Sequence, residues 1–175
     1  MATVSLPELA VSTFTKGFET FDHILTKAEE YAKEKGIDAN ATFVQARLIE
    51  DQLPFAFQIQ NASKAVQVNL GRLSGVEPTL FENDEKTLDD LHKRVKKTLD
   101  LLKSFDVSTA AGRDNELVEY PFGGQTRKLT VKAAIVTQGL PNFYFHLTTG
   151  YSILRSRGVP LGKADFLTNF LEFSA

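Results

Sequence analysis

Histidine is the scarce chemical group in this chain: there are three, His23, His92 and His146, and no cysteine. No two histidines stand four residues apart, and there is no His-Glu-x-x-His, so the usual helical signature of a zinc hydrolase is missing. His92 lies among charged residues and reads as exposed. His23, between Asp22 and Ile24, reads as half-buried on a helix. His146 is different. At 100° per residue it points about 60° from Phe143 and about 40° from Gly150, within an apolar helix face. Gln138 and Asn142 precede it at successive four-residue steps, which makes one polar strip along that face. An imidazole there can move a proton near neutral pH, and carboxamides can both donate and accept hydrogen bonds. Each buried polar group left unpaired costs about 1–3 kcal/mol. The strip therefore either satisfies itself against neighbouring helices or lines a wet or ligand-filled cavity. Across from it the start of a second helix offers Asp51, Gln52, Gln58 and Asn61. Asp51 with His146 would make a carboxylate–imidazole pair; Asp51 also suits a helix start, where the dipole favours a negative charge. Tyr144 and Tyr151 could donate to a ligand, or could be core residues with a wet tip.

The elements that must position these groups are helices. Phe14, Phe18, Phe21, Leu25, Ala28 and Ala32 alternate at spacings of four and three, which predicts a first helix over about 7–35, ended by Gly36. An irregular link follows over 37–51. A second helix starts near Pro54, carries the stripe Phe55, Ile59, Ala62, Val66, Leu70 and Leu73, and stops at Ser74-Gly75. After a loop over 76–86, Thr87 and Asp90 resemble a capping box for a third helix with Leu88, Leu91, Val95, Thr98 and Leu102. Residues 116–122 and the pair Gly123-Gly124 predict a small β-hairpin between helices three and four, with Pro121 placing its strand at an edge. Thr130 caps a fourth helix reaching about Arg157, in which Pro141, next to Gly139, predicts a bend and room for a cavity. Phe166, Leu167, Phe170 and Leu171 predict a short last helix docked on the bundle. The fold expected is all-α: a single four-helix-bundle domain over 1–175, whose site would lie between facing helices.

Bulk properties exclude other classes. With 175 residues and 42% hydrophobic content, the chain is long enough for a sizeable core. The net charge is −2, and the one dense basic run, Lys93-Arg94-Val95-Lys96-Lys97, reads as the solvated side of a helix; no nucleic acid is expected as partner. The start, Met-Ala-Thr-Val-Ser-Leu-Pro-Glu, lacks a basic stretch followed by an apolar one, and no apolar run approaches the ~20 residues that span a bilayer. No membrane partner is expected, and the cytoplasm is the expected location. Gly123-Gly124 is too short for a phosphate loop, and Ser152 and Ser156 lack a nucleophile-elbow context. Fourteen phenylalanines and no tryptophan predict a tightly packed interior or the apolar wall of a pocket.

Leu140-Pro-Asn-Phe-Tyr-Phe-His146, continuing through Thr148-Thr149-Gly150-Tyr151 and Ile153-Leu154-Arg155 to Gly158-Val159, resembles the signature of the family catalogued as domain of unknown function number 1993. Leu53-Pro54-Phe55, the run Gln58 to Ala62, the run Arg72 to Glu77 and the run Gly162 to Asp165 resemble it too, so the likeness covers nearly the whole chain. That family is placed with the DinB/YfiT-like metalloenzymes. The resemblance implies a DinB-like four-helix bundle, often homodimeric. In metal-binding members, three histidines hold the ion, one from helix two and two from the last bundle helix. Of these only His146 has a counterpart here; Asn142 and Phe143 stand where another would be, and helix two has none.

The expected function is the binding of a small organic molecule in a Phe-lined pocket by His146, Asn142 and Gln138, with Asp51 or Gln58 opposite and Tyr144 and Tyr151 nearby. No metal or other cofactor is expected. If there is catalysis, it would be metal-free acid–base chemistry such as isomerisation, cyclisation or hydrolysis. The alternatives are a metal-dependent transferase or hydrolase with a degenerate histidine site, and a non-catalytic dimeric binding module.

Overall fold

The computed structural model describes residues 4–171, so the outermost ends of the expected 1–175 domain lie outside the described residues. Helix α1, Leu6–Lys35, begins with a reciprocal cap: the Glu8 amide donates to Ser5 Oγ (3.3 Å), and the Ser5 amide donates to the Glu8 carboxylate (2.8 Å). Its predicted stripe is fully inward, from Phe14 at 0% to Ala32 at 2% exposure. A π-helical turn, Asn40–Val44, breaks the link to α2, Phe55–Ser74. Helix α3, Leu88–Ser104, has the Thr87–Asp90 capping box, with both bonds at 3.1 Å. Strands β1, Leu117–Phe122, and β2, Gln125–Thr130, pair antiparallel. They join through Gly123 and Gly124, whose φ values of 60° and 76° suit a two-residue hairpin turn.

The fourth bundle helix is composite. Thr130 caps the short α4, Val131–Ala133; a π-helical stretch, Ala134–Gly139, follows; and α5, Leu140–Ser156, continues. The predicted bend at Pro141 is thus a widened turn. In an unbroken α-helix the proline ring would press on the Thr137 carbonyl and one hydrogen bond would be lost. Here the Leu140 amide reaches five residues back, to Ile135. Gly139 has a second reason to be small: a Cβ there would lie 2.6 Å from Asn69 Oδ1 on α2.

The fold is a four-helix bundle with a small antiparallel hairpin between its third and fourth helices. Helix α1 packs against α3 and α5, and α2 packs against the same two, so α1 and α2 lie diagonally opposite. The largest side chains of the core are aromatic: Phe14, Phe18, Phe21, Phe43, Phe55 and Phe143 are wholly buried, and Phe143 meets Phe14 edge-on at 5.0 Å. Helix α6, Lys163–Leu167, docks on α1, where Asp165 meets His23 Nε2 at 2.8 Å. No helix among the described residues is long and apolar enough to cross a membrane.

Candidate functional site

His146 lies on the α2–α5 seam at 5% exposure, with both ring nitrogens engaged. The network fixes its tautomer. The Gln58 amide nitrogen donates to the Leu53 carbonyl (2.8 Å), which turns Gln58 Oε1 towards the ring. His146 Nδ1–H donates to that oxygen at 2.8 Å, leaving Nε2 to accept from the Asn61 amide at 2.5 Å. Phe57 and Phe145 stand edge-on to the imidazole, at 6.0 and 5.2 Å between centroids. Burial without a charged partner pushes the imidazole pKa down to about 4, so at pH 7 it is neutral.

The polar strip continues from there. The same four-residue stepping on α2 brings Asn61, Ala65 and Asn69 opposite His146, Asn142 and Gln138, with Arg72 one turn beyond. Arg72 Nη1 donates to Gln138 Oε1 (3.0 Å) and to Asn69 Oδ1 (3.2 Å). Between these groups is a cleft of about 140 Å³. Its polar lining is Asn61, Lys64, Asn69 and Arg72 from α2, and Gln138 and Asn142 from the fourth helix. Two lining groups are cationic and none is acidic. Asn61 faces both the cleft and His146.

Several expected participants are elsewhere. Asp51 is exposed in the turn before α2, and no bond joins it to the ring, whose two nitrogens are taken by carboxamides. Tyr144 is 38% exposed and packs on Phe143 and Phe170; burial raises its pKa, opposed by a hydrogen bond with Thr13 of α1. Tyr151 is edge-on to Phe166 at 5.7 Å. Both tyrosines thus serve the junction with the C-terminal segment. Nor, among the described residues, does phenylalanine line the cleft: six of the rings are wholly buried in the core, and Phe57 and Phe145 stand against His146 instead. His92 is not simply exposed but bridges to Asp22 (2.8 Å) and Glu29 (3.4 Å) of α1.

The basic run on α3, expected to be solvated, is buried at one position. Arg94 is 3% exposed and bonds Glu85 (2.8 Å), Ser63 (2.9 Å) and the Glu82 carbonyl (2.5 Å). It pins the 76–86 loop over a groove of about 850 Å³ between α2 and α3. That groove is larger than the seam cleft but does not touch His146. Its two deeply buried charges, Arg94 and Glu85, are already paired with each other.

The metal that the superfamily implies does not fit this donor set. The site has one imidazole, hydrogen-bonded at both nitrogens, among neutral carboxamides that bind zinc or nickel poorly. Among the described residues, no group of three or more His, Cys, Asp or Glu could hold an ion.

Fold and seam together define the class, a DinB-like helical bundle with a carboxamide-held histidine. The structure superposes on the crystal structure of a DinB family member protein from Shewanella denitrificans, with a TM-score of 0.86 and 32% identity over 93% of this chain and 91% of that one. Residues 6–167 match the family described as Domain of unknown function (DUF1993), and the chain belongs to that family. No curated protein matches it.

Proposed function

We propose that this protein binds a small polar organic molecule in the α2–α5 seam without a metal. The observation that carries the reading is the cleft lined by Asn61, Asn69, Gln138 and Asn142 with Lys64 and Arg72, which abuts a buried imidazole through Asn61. Four carboxamides converging on one space offer donors and acceptors to a ligand rich in oxygen or nitrogen. A ligand hydroxyl or N–H that displaced the Asn61 amide would meet the His146 Nε2 lone pair. An imidazole with a pKa of about 4 is a weak base at pH 7. It suits orienting a bound group better than abstracting a proton, which favours binding over acid–base turnover.

The test is a fragment screen by two-dimensional NMR on labelled protein. Bound fragments are expected to shift the side-chain amides of Asn61, Gln138 and Asn142, and Asn142→Leu is expected to abolish those shifts. Fragments that bind only in the α2–α3 groove would overturn the reading.

We also propose that the protein is a homodimer. Support comes from exposed apolar groups on the same side as His146: Phe145 is 59% exposed, and Leu53, whose carbonyl takes the Gln58 bond, is 48% exposed.

A further inference from the structure

We propose that the seam's ligand is a small organic carboxylate and that Arg72 is its anchor. This inference rests on the seam being a binding site and adds the ligand's chemical class. Its basis is a contrast between two arginines. Arg94, the buried one, meets Glu85 at 2.8 Å, as an arginine taken out of water ordinarily must. Arg72 is half-buried, yet among the described residues no ion pair reaches it.

The partners of Arg72 are two carboxamide oxygens, Asn69 Oδ1 and Gln138 Oε1, and the Tyr120 ring of the hairpin, 5.5 Å from the guanidinium. These orient the guanidinium without neutralising it. Burial lowers the Arg72 pKa, the mark of a cation that has lost water without gaining a full counter-charge. Lys64 lines the same cleft and no acid does, so the local field favours an anion.

Shape and size narrow the class. A guanidinium is a planar fork that pairs two-pronged with a carboxylate or a phosphate, and the carboxylate is the smaller and flatter of the two. The cleft of about 140 Å³ holds about five water volumes, room for a carboxylate and a few further heavy atoms. Asn61 and Asn142, towards His146, offer amide groups to a hydroxyl or oxo substituent on such a molecule. A 2-hydroxy or 2-oxo acid of two to four carbons has that layout.

The test uses three probes on the full chain, followed by NMR and calorimetry: glycolate, its uncharged counterpart glycolamide, and inorganic phosphate. Glycolate is expected to shift the seam amides and to bind at least tenfold tighter than glycolamide or phosphate. Arg72→Gln is expected to weaken glycolate at least tenfold and to erase its advantage over glycolamide. Arg72→Lys, which keeps the charge and loses the fork, is expected to fall between; it also provides a second reading should Arg72→Gln fold poorly. Equal binding of glycolate and glycolamide in the seam would overturn the carboxylate assignment and leave the binding site standing. So would phosphate binding where glycolate does not. Glycolate binding away from the seam, or by Arg72→Gln as well as by the wild type, would overturn the anchor. No seam shift with any probe would overturn both this inference and the reading it rests on.

Discussion

Acid should unfold this protein partly through His146. The group stands near pKa 4 in the fold, against 6.5 when unfolded. Because the folded value is the lower one, the unfolded chain binds more protons between pH 6.5 and 4, and stability falls as pH falls through that window. Above pH 6.5 both states hold the ring neutral, and below pH 4 both hold it charged, so the loss levels off. At about 1.4 kcal/mol for each pH unit, the full difference is about 3 kcal/mol, most of it lost by pH 4.5. The assay is urea unfolding at pH 7, 5.5 and 4.5, for the wild type and for His146→Gln. Carboxylates whose pKa values the fold depresses, such as Asp165 bonded to His23, lose their contribution at lower pH and in both proteins alike. The difference between the two profiles therefore isolates the imidazole. Stability should fall by about 2–3 kcal/mol more in the wild type than in the variant between pH 7 and 4.5. Parallel profiles would refute the claim that His146 is buried as the neutral base.

Three further outcomes follow from packing. Arg94→Met should cost about 3–5 kcal/mol, because Glu85, only 7% exposed, is left charged without its partner; urea unfolding reads this directly. Gly139→Ala should destabilise by about 1–3 kcal/mol, since the added methyl collides with the Asn69 carboxamide; a melting temperature at or above the wild-type value would contradict the close α2 contact. If Phe145 lies in a homodimer interface, Phe145→Glu should shift sedimentation equilibrium towards monomer, and a wild type that is monomeric at every concentration would sink that proposal.

Much of the scaffold was legible because its signals are local and agree with one another. The α1 and α2 stripes keep strict helical spacing, Thr87 and Asp90 sit three apart, and Gly123-Gly124 allows a tight hairpin. The inward aim of His146 followed from the same periodicity. What the sequence obscured was which residues meet across the seam. By charge Asp51 is the natural partner of an imidazole, yet Gln58 and Asn61, one and two turns into α2, are the residues that reach the ring. Asn69 extends the four-residue stepping of Asn61 and Arg72 follows three residues on, on the same helix face, so their signal was present but pairs with the fourth helix only once both helices are docked. Arg94 was hidden among lysines; its place three residues after Leu91 and one before Val95, at the edge of the apolar stripe, was the clue to its burial. Tyr144 and Tyr151 share a helix with His146 but face α1 and the C-terminal segment, a side decided by packing.

The central claim is that this DinB-like seam presents a neutral imidazole held by carboxamides rather than by a metal. Long-range ¹H–¹⁵N correlation of the histidine rings at pH 7, with and without one equivalent of zinc, tests it most directly. A protonated Nδ1 and a bare Nε2 are expected for His146, with no change on adding zinc. An imidazolium, the opposite tautomer, or a zinc-induced shift of either His146 nitrogen would contradict it.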